Sequence, residues 1–317
     1  SYIIIGTPIL DDKMNLCNLI SLLENKNDIK KINGEFLILE IDMINSNYRL
    51  ISDRFSSIPL FYFFYKKKLY CSLNYLKTLN TLKKLNILKF NEYTFYEFLK
   101  FQRIFGNKTY DLFSKFFTSS SELKLIANKV YIKKYWIPSS KKEKLNLIDF
   151  AKKLKSLTIN SISRKTKNNE KISFFLSGGN DSRAILYKLK LLKKKVRTYT
   201  FAINKNNEVN IAKKISKILN FKNYFIKLDE NPYKNIKNMS LNYFGMNSFD
   251  HAIFLNFQNK LKNQNKISLT GWGMDIFFQG LYIPQNEIKL GKIRTFSFKE
   301  DKKIFKTNNF ANYFIKN

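Results

Sequence analysis

Hydrophobic positions follow two different rhythms along the chain. In the first part, short runs rich in β-branched and aromatic residues (Tyr2 to Ile5, Glu35 to Asp42, Tyr48 to Ser52, Leu60 to Tyr65, Leu69 to Ser72) are separated by Asn, Asp, Gly and Pro. That pattern predicts strands joined by turns, hence an antiparallel, sandwich-like arrangement. Residues 91–105 switch to helical spacing, with Asn91 placed to cap the helix and Phe95, Phe98, Leu99 and Gln102 recurring along it. A further hairpin, Ser121 to Ile126 with Lys129 to Tyr135, closes this part. Apolar residues then vanish through Ile137-Pro138-Ser139-Ser140-Lys141-Lys142, which reads as a linker and divides the chain into domains at 1–138 and 139–317.

Beyond the linker, strands and helices alternate. Helical spacing covers Leu145 to Ser163, followed by strand 172–176, helix 183–192, strand 198–203, helix 208–219, strand 224–228, helix 249–262 and strand 267–270. Val209, Ala212, Ile215, Ile218 and Leu219 share one face of the 208–219 helix, a face suited to packing on a sheet. Strands separated by helices of this length predict a parallel, doubly wound sheet, so the fold class is α/β behind an antiparallel first domain. In such sheets ligands bind beyond the carboxyl ends of the strands.

One such end carries the chain's most specific chemistry. The apolar run Ile172 to Leu176 delivers Ser177-Gly178-Gly179-Asn180-Asp181-Ser182 just before the helix expected to open at Arg183. Glycines leave backbone N–H groups uncovered, and a helix N-terminus adds positive potential, so the stretch reads as a phosphate loop. Ser177 and Ser182 supply hydroxyls, and Asp181 a carboxylate able to hold magnesium. The pattern is neither the Gly-x-x-x-x-Gly-Lys-Ser/Thr loop nor the spaced glycines of dinucleotide binders.

Composition alters this picture little. Of 317 residues, 57 are Lys or Arg and 24 are Asp or Glu, giving a formal net charge of +33. That balance would suit an RNA or another polyanion. The excess, however, is nearly all lysine spread through every segment alongside abundant Asn, Ile, Phe and Tyr, the bias of an AT-rich genome, and nucleic acid is not the expected partner. Cys17 and Cys71 are too few for a disulfide framework or zinc site, and both are read as core residues in a reducing cytoplasm. No apolar run reaches the roughly 18 residues needed to span a bilayer, and no cleavage signature opens the chain.

Four further segments carry a resemblance. Ser52-Asp53-Arg54-Phe55-Ser56-Ser57-Ile58-Pro59-Leu60-Phe61-Tyr62 resembles the Arg-Asp-x-x-Gly-x-x-Pro-Leu-Tyr-Tyr segment of asparagine synthetases and β-lactam synthetases, and Asn33-Gly34-Glu35-Phe36 their Gly-x-Phe strand. Tyr135-Trp136-Ile137-Pro138 is similar to the Tyr-Trp-x-Pro that ends their first domain. Gly271-Trp272-Gly273-Met274-Asp275, with Gly280 and Tyr282 after it, is similar to their second loop, and the resemblance runs from about residue 33 to 285. It implies an ATP-pyrophosphatase domain that uses ATP to adenylate a carboxylate, of an amino acid or peptide, before an amine displaces AMP. It assigns Asp181 and Asp275 to Mg2+, Ser177, Gly178, Gly179, Ser182, Gly271 and Gly273 to the nucleotide phosphates, and Thr200 and Phe201 to adenine. Trp272 stands at the family's acid/base position, although an indole cannot exchange a proton at neutral pH.

Departures from the family shape the rest of the expectation. The glutamine-using members begin with a nucleophilic Cys, whereas here Ser1-Tyr2-Ile3 opens the sequence and the segments that hold glutamine are missing before Gly34. The first domain therefore resembles a vestigial glutaminase of N-terminal-nucleophile type, as in β-lactam synthetases and lasso-peptide cyclases, and glutamine is not the amine source. Residues 283–317 contain Lys289, Lys292 and Lys299 but no match to the family's catalytic-lysine motif, so the synthetase domain reads as short. Two other readings follow: a degenerate ATP-binding subunit working with a second protein chain, and a tRNA-modifying ATP-pyrophosphatase. The latter enzymes place their loop near the N-terminus with no domain like 1–138 ahead of it.

Overall fold

The computed structural model describes residues 1–10, 16–24, 29–45, 47–127, 129–138, 144–167, 171–228, 246, 267–271, 273–274, 286–290 and 293–297. In chain order the first part contains β1 (Tyr2–Ile9), α1 (Leu16–Glu24), β2 (Asn33–Asp42), β3 (Asn47–Ser52), β4 (Phe61–Tyr65), β5 (Lys68–Ser72), α2 (Tyr75–Lys84), α3 (Glu92–Phe101), β6 (Lys115–Phe116), β7 (Ser121–Ile126) and β8 (Lys129–Lys134). Its strands form two antiparallel sheets, ordered β1-β2-β3-β7-β8 and β5-β4-β6.

Strand β2 shows why the sheets stack. Successive side chains of a strand point to opposite faces. Phe36 and Ile38, with Ile51 of β3, bury against Leu19 and Leu23 of α1. Leu37, with Leu50 and Leu123, buries against Leu60, Tyr62 and Phe117 of the smaller sheet. On the far side of that sheet, Phe61 packs on Tyr75 of α2 and on Met246. The expected sandwich is thus present, with a helix on each outer face. Helix α3 starts where Asn91 accepts the Thr94 N–H, and it stops at Phe101, short of the expected 105, because Gln102 turns left-handed (φ 55°).

Both cysteines correct their core assignment. Cys17 on α1 and Cys71 on β5 are exposed residues, although burial of the Cys71 sulfur pushes its thiol pKa up. Strand β5 is an edge strand, paired only with β4, which leaves part of its surface open.

The family-like segments of this first part meet at Asp53, which is fully buried. Its carboxylate accepts the N–H groups of Phe36 (3.2 Å), Phe55 (2.8 Å) and Ser57 (3.0 Å) and the Ser57 hydroxyl (3.2 Å). Next to it the Tyr135 hydroxyl donates to the Ser52 carbonyl (2.7 Å), and the Arg54 guanidinium lies 5.1 Å from the centre of the Trp136 ring. Three separated stretches of sequence therefore form one structural corner. Replacing Asp53 by Ala strands several buried donors, and we expect about 3 kcal/mol of lost stability in urea unfolding, with Asp53→Asn losing less. A loss below about 1 kcal/mol would mean that those donors find other acceptors.

The second part contains α4 (Leu147–Lys165), β9 (Ile172–Phe175), α5 (Asn180–Leu191), β10 (Val196–Ala202), α6 (Asn207–Ile218), β11 (Lys222–Lys227) and β12 (Ile267–Thr270), then a hairpin of β13 (Asn286–Leu290) and β14 (Ile293–Ser297) that the pattern did not predict. Strands β9 to β12 form a fully parallel sheet ordered β11-β10-β9-β12. On one face Ile172, Phe174, Leu176 and Val196 bury against Ile185, Leu186 and Leu189 of α5 and Ala212 of α6. On the other lie Phe175, Tyr199, Phe201, Tyr224 and Ile226. The helix expected at 249–262 lies outside the described residues, so helices are described against one face of the sheet. The fold is mixed α/β, antiparallel sheets followed by a parallel one.

Candidate active site

The parallel sheet grows from β9 in two directions, to β10 and β11 on one side and to β12 on the other. A crevice opens at such a reversal of strand order, beyond the carboxyl ends of the strands. The phosphate-like loop follows β9, and Gly271 follows β12, which pairs with β9 in the register Thr270 to Phe175. A Cβ built on Gly271 would lie 3.0 Å from the Ser182 nitrogen and 3.1 Å from its Cα. The second loop therefore rests directly on the first turn of α5, an approach that a side chain at this position would crowd.

Helix α5 opens at Asn180, three residues earlier than the expected Arg183, which puts Asp181 and Ser182 in its first turn. Helices α2, α3, α4 and α6 each have an Asn N-cap whose side chain accepts a first-turn N–H. The N-cap of α5 is Gly179, and no side chain caps it. Its first-turn donors thus face the crevice without a side-chain partner, and a negative group there gains both hydrogen bonds and the helix dipole.

Of the two glycines, Gly178 is the one the backbone demands. Its φ is +79°, and a Cβ would sit 2.9 Å from the Glu208 carbonyl oxygen at the start of α6. Gly179 has an ordinary extended conformation (φ −70°, ψ 163°), so it serves by keeping the approach to the helix end clear. Ser177 is exposed, and its Oγ lies 3.2 Å from the buried Ser182 Oγ, which donates to the Gly179 carbonyl (3.0 Å). Asp181 is half-buried.

Thr200 and Phe201 lie on opposite faces of β10. The buried Thr200 hydroxyl donates to the Leu176 carbonyl (2.9 Å) and accepts from the Asn223 amide (3.1 Å), so Thr200 braces the strand end beneath the loop. Phe201 packs edge-on to Phe175, with ring centres 5.4 Å apart. Gly273 has a φ of +89°, and the Met274 N–H points back to the Gly271 carbonyl (3.4 Å). Trp272 and Asp275 lie outside the described residues, as do Lys292 and Lys299. Among the described residues, no group of three or more His, Cys, Asp or Glu side chains is arranged to hold a metal ion. Asp181 is the one carboxylate of the loop itself that could contribute to a magnesium site.

Sequence reasoning passed over one pair in this loop. The Arg183 Nη2 hydrogen-bonds the Asn180 Oδ1, and its Nε reaches toward the Gly179 carbonyl (3.4 Å). The available signal was an arginine in the first turn of a helix, where the dipole disfavours a cation.

An uncapped helix end at a strand-order reversal, flanked by glycines and carrying two serines and an aspartate, is an arrangement that an α/β domain can offer to an anionic group. Residues 153–306 match the model of the family described as asparagine synthase, so this stretch of the chain is similar to that family. No curated protein matches the chain. Among solved structures, an NH3-dependent NAD synthetase from Campylobacter jejuni in complex with the nitrate ion is similar over 41% of this chain at 18% identity, with a TM-score of 0.31. The chain spans 59% of that protein's length. No helix among the described residues is long and apolar enough to cross a membrane.

Proposed function

We propose that the protein is an AMP-forming amide ligase whose acyl substrate is the carboxylate of an amino acid or peptide. The uncapped N-terminus of α5 beside Gly178 and Gly271 is the observation that carries this reading. In the first step a carboxylate oxygen attacks the α-phosphorus of ATP, and the bond to the bridging oxygen breaks with pyrophosphate as leaving group. In the second, an amine nitrogen attacks the acyl carbon, AMP departs with the former carboxylate oxygen, and the nitrogen loses a proton. First-turn N–H groups of α5, with Ser177 and Ser182, would bind the departing pyrophosphate, stabilising charge where it accumulates. Magnesium held by Asp181 and Asp275 would neutralise charge on the same oxygens.

In this reading residues 1–138 form a scaffold related to glutaminase domains, and 139–317 the synthetase domain. The stacked antiparallel sheets and the corner at Asp53 support the first assignment. A cytoplasmic setting fits, since ATP is abundant there and free thiols persist.

The test is release of AMP and pyrophosphate from ATP, Mg2+ and a pool of amino acids and peptides from the source cells, with amide products identified by mass spectrometry. We expect magnesium-dependent, stoichiometric AMP, and a loss of at least about 100-fold in rate for Asp181→Ala. If the Asp181→Ala protein forms AMP at the parent rate, the reading fails.

A further inference from the structure

Resting on the nucleotide reading above, we infer that Arg183 is a phosphate-contacting residue that grips the β- and γ-phosphates of ATP and the pyrophosphate they become. Its position is the first argument. Arg183 lies in the first turn of α5, four residues from the Gly179 cap, where its own N–H donates to the Gly179 carbonyl (3.1 Å). A cation at a helix N-terminus opposes the dipole, so the site does not favour arginine for helix stability.

Its tethering is the second argument. The guanidinium is held at the mouth of the loop by the Asn180 side chain and faces the Gly179 carbonyl, while its Nη1 makes no hydrogen bond among the described residues. No carboxylate among the described residues forms an ion pair with it. An arginine held by Asn180, with no carboxylate paired to it among the described residues and a donor to spare, lies beside a row of uncapped N–H groups. A planar fork of this kind binds phosphate oxygens in pairs, which a lysine cannot do.

Charge is the third argument. Two departing phosphates carry several negative charges, and the first-turn amides supply only partial positive charge. Arg183 contributes a full one from within the loop itself. Asn180 is then a positioning residue, acting by holding the guanidinium.

Isothermal titration of the full chain with ATP, AMP and inorganic pyrophosphate tests this, in the presence of Mg2+. For Arg183→Gln we expect pyrophosphate and ATP to bind about 10- to 100-fold more weakly while AMP changes less than about twofold. Arg183→Lys should recover part of the loss, since it restores charge without the fork. A purely structural role would weaken AMP and ATP alike, and that result overturns the assignment, as does unchanged pyrophosphate binding in Arg183→Gln. Thermal melts of both variants check folding, and the Lys variant keeps the test valid should the Gln variant unfold. Parent protein that binds neither ATP nor pyrophosphate removes the nucleotide reading and this assignment together, whereas normal parent binding with an indifferent Arg183→Gln removes the assignment alone.

Discussion

Gly178→Val is expected to abolish nucleotide binding, raising the ATP dissociation constant by at least about 100-fold. Two effects combine. At φ +79° a residue with a Cβ costs about 1–2 kcal/mol of backbone strain, and a β-branched side chain costs more. The new Cβ would also stand 2.9 Å from the Glu208 carbonyl oxygen, a backbone atom in α6 that cannot rotate away. The loop must therefore shift, taking Gly179 and the first-turn donors of α5 with it. Gly106→Val separates strain from collision, because Gly106 has a similar φ of +75° with nothing within 4 Å of the place its Cβ would take. That variant should lose a little stability and no ATP affinity. Calorimetric ATP affinities within threefold of each other for the parent and Gly178→Val would show that the loop does not bind phosphate in this conformation.

The second large effect concerns stability. Arg49 and Glu122, both buried, are joined by Nε to Oε1 at 2.5 Å across β3 and β7. Arg49 Nη1 also donates to the Leu23 carbonyl at the end of α1 (2.7 Å) and to Glu40 Oε2 (3.0 Å), tying the helix to the sheet. Lys133 and Lys124 reach Glu122 from the outside, at 3.1 and 3.4 Å. Removing one partner leaves the other buried charge without its nearest counter-ion, so Arg49→Ala or Glu122→Ala should cost about 3–5 kcal/mol. At about 2–4 °C per kcal/mol for a large domain, the melting temperature falls by roughly 6–20 °C. Replacing both, as Arg49→Met with Glu122→Leu, should restore most of the loss, because no charge is then stranded. Equal destabilisation by the single and double variants would assign the effect to packing instead.

The same network sets a pH dependence. Burial pushes the Glu122 carboxyl upward, but the hydrogen bond and charge of Arg49, followed by Lys133 and Lys124, outweigh it and hold the group below its ordinary value of 4.5. A carboxyl depressed in the folded state contributes stability that is present above its unfolded pKa and lost as pH falls through the folded one. Urea midpoints should therefore drop below about pH 4.5 in the parent protein, and less steeply in the double variant.

Local patterns in the sequence determined much of this protein. Runs of β-branched and aromatic residues between turn formers named the strands β1 to β5, and Asn91 marked the start of α3, because composition and capping depend on residues only a few positions apart. Ser177 to Ser182 marked the glycine turn ahead of α5 for the same reason, since a glycine turn before a helix needs no distant partner. Tertiary structure decided the rest. The strand order β11-β10-β9-β12 sets β12 beside β9 and brings Gly271 onto Ser182, a contact between residues far apart in the chain that no local period encodes. The surface positions of Cys17 and Cys71 depended on which strand stands at a sheet edge and how a helix is turned, and apolar neighbours in sequence gave the opposite impression. Arg183 is the sharpest case. In sequence it is one more basic residue among 57, and only the folded loop shows its guanidinium held by Asn180 at an uncapped helix end.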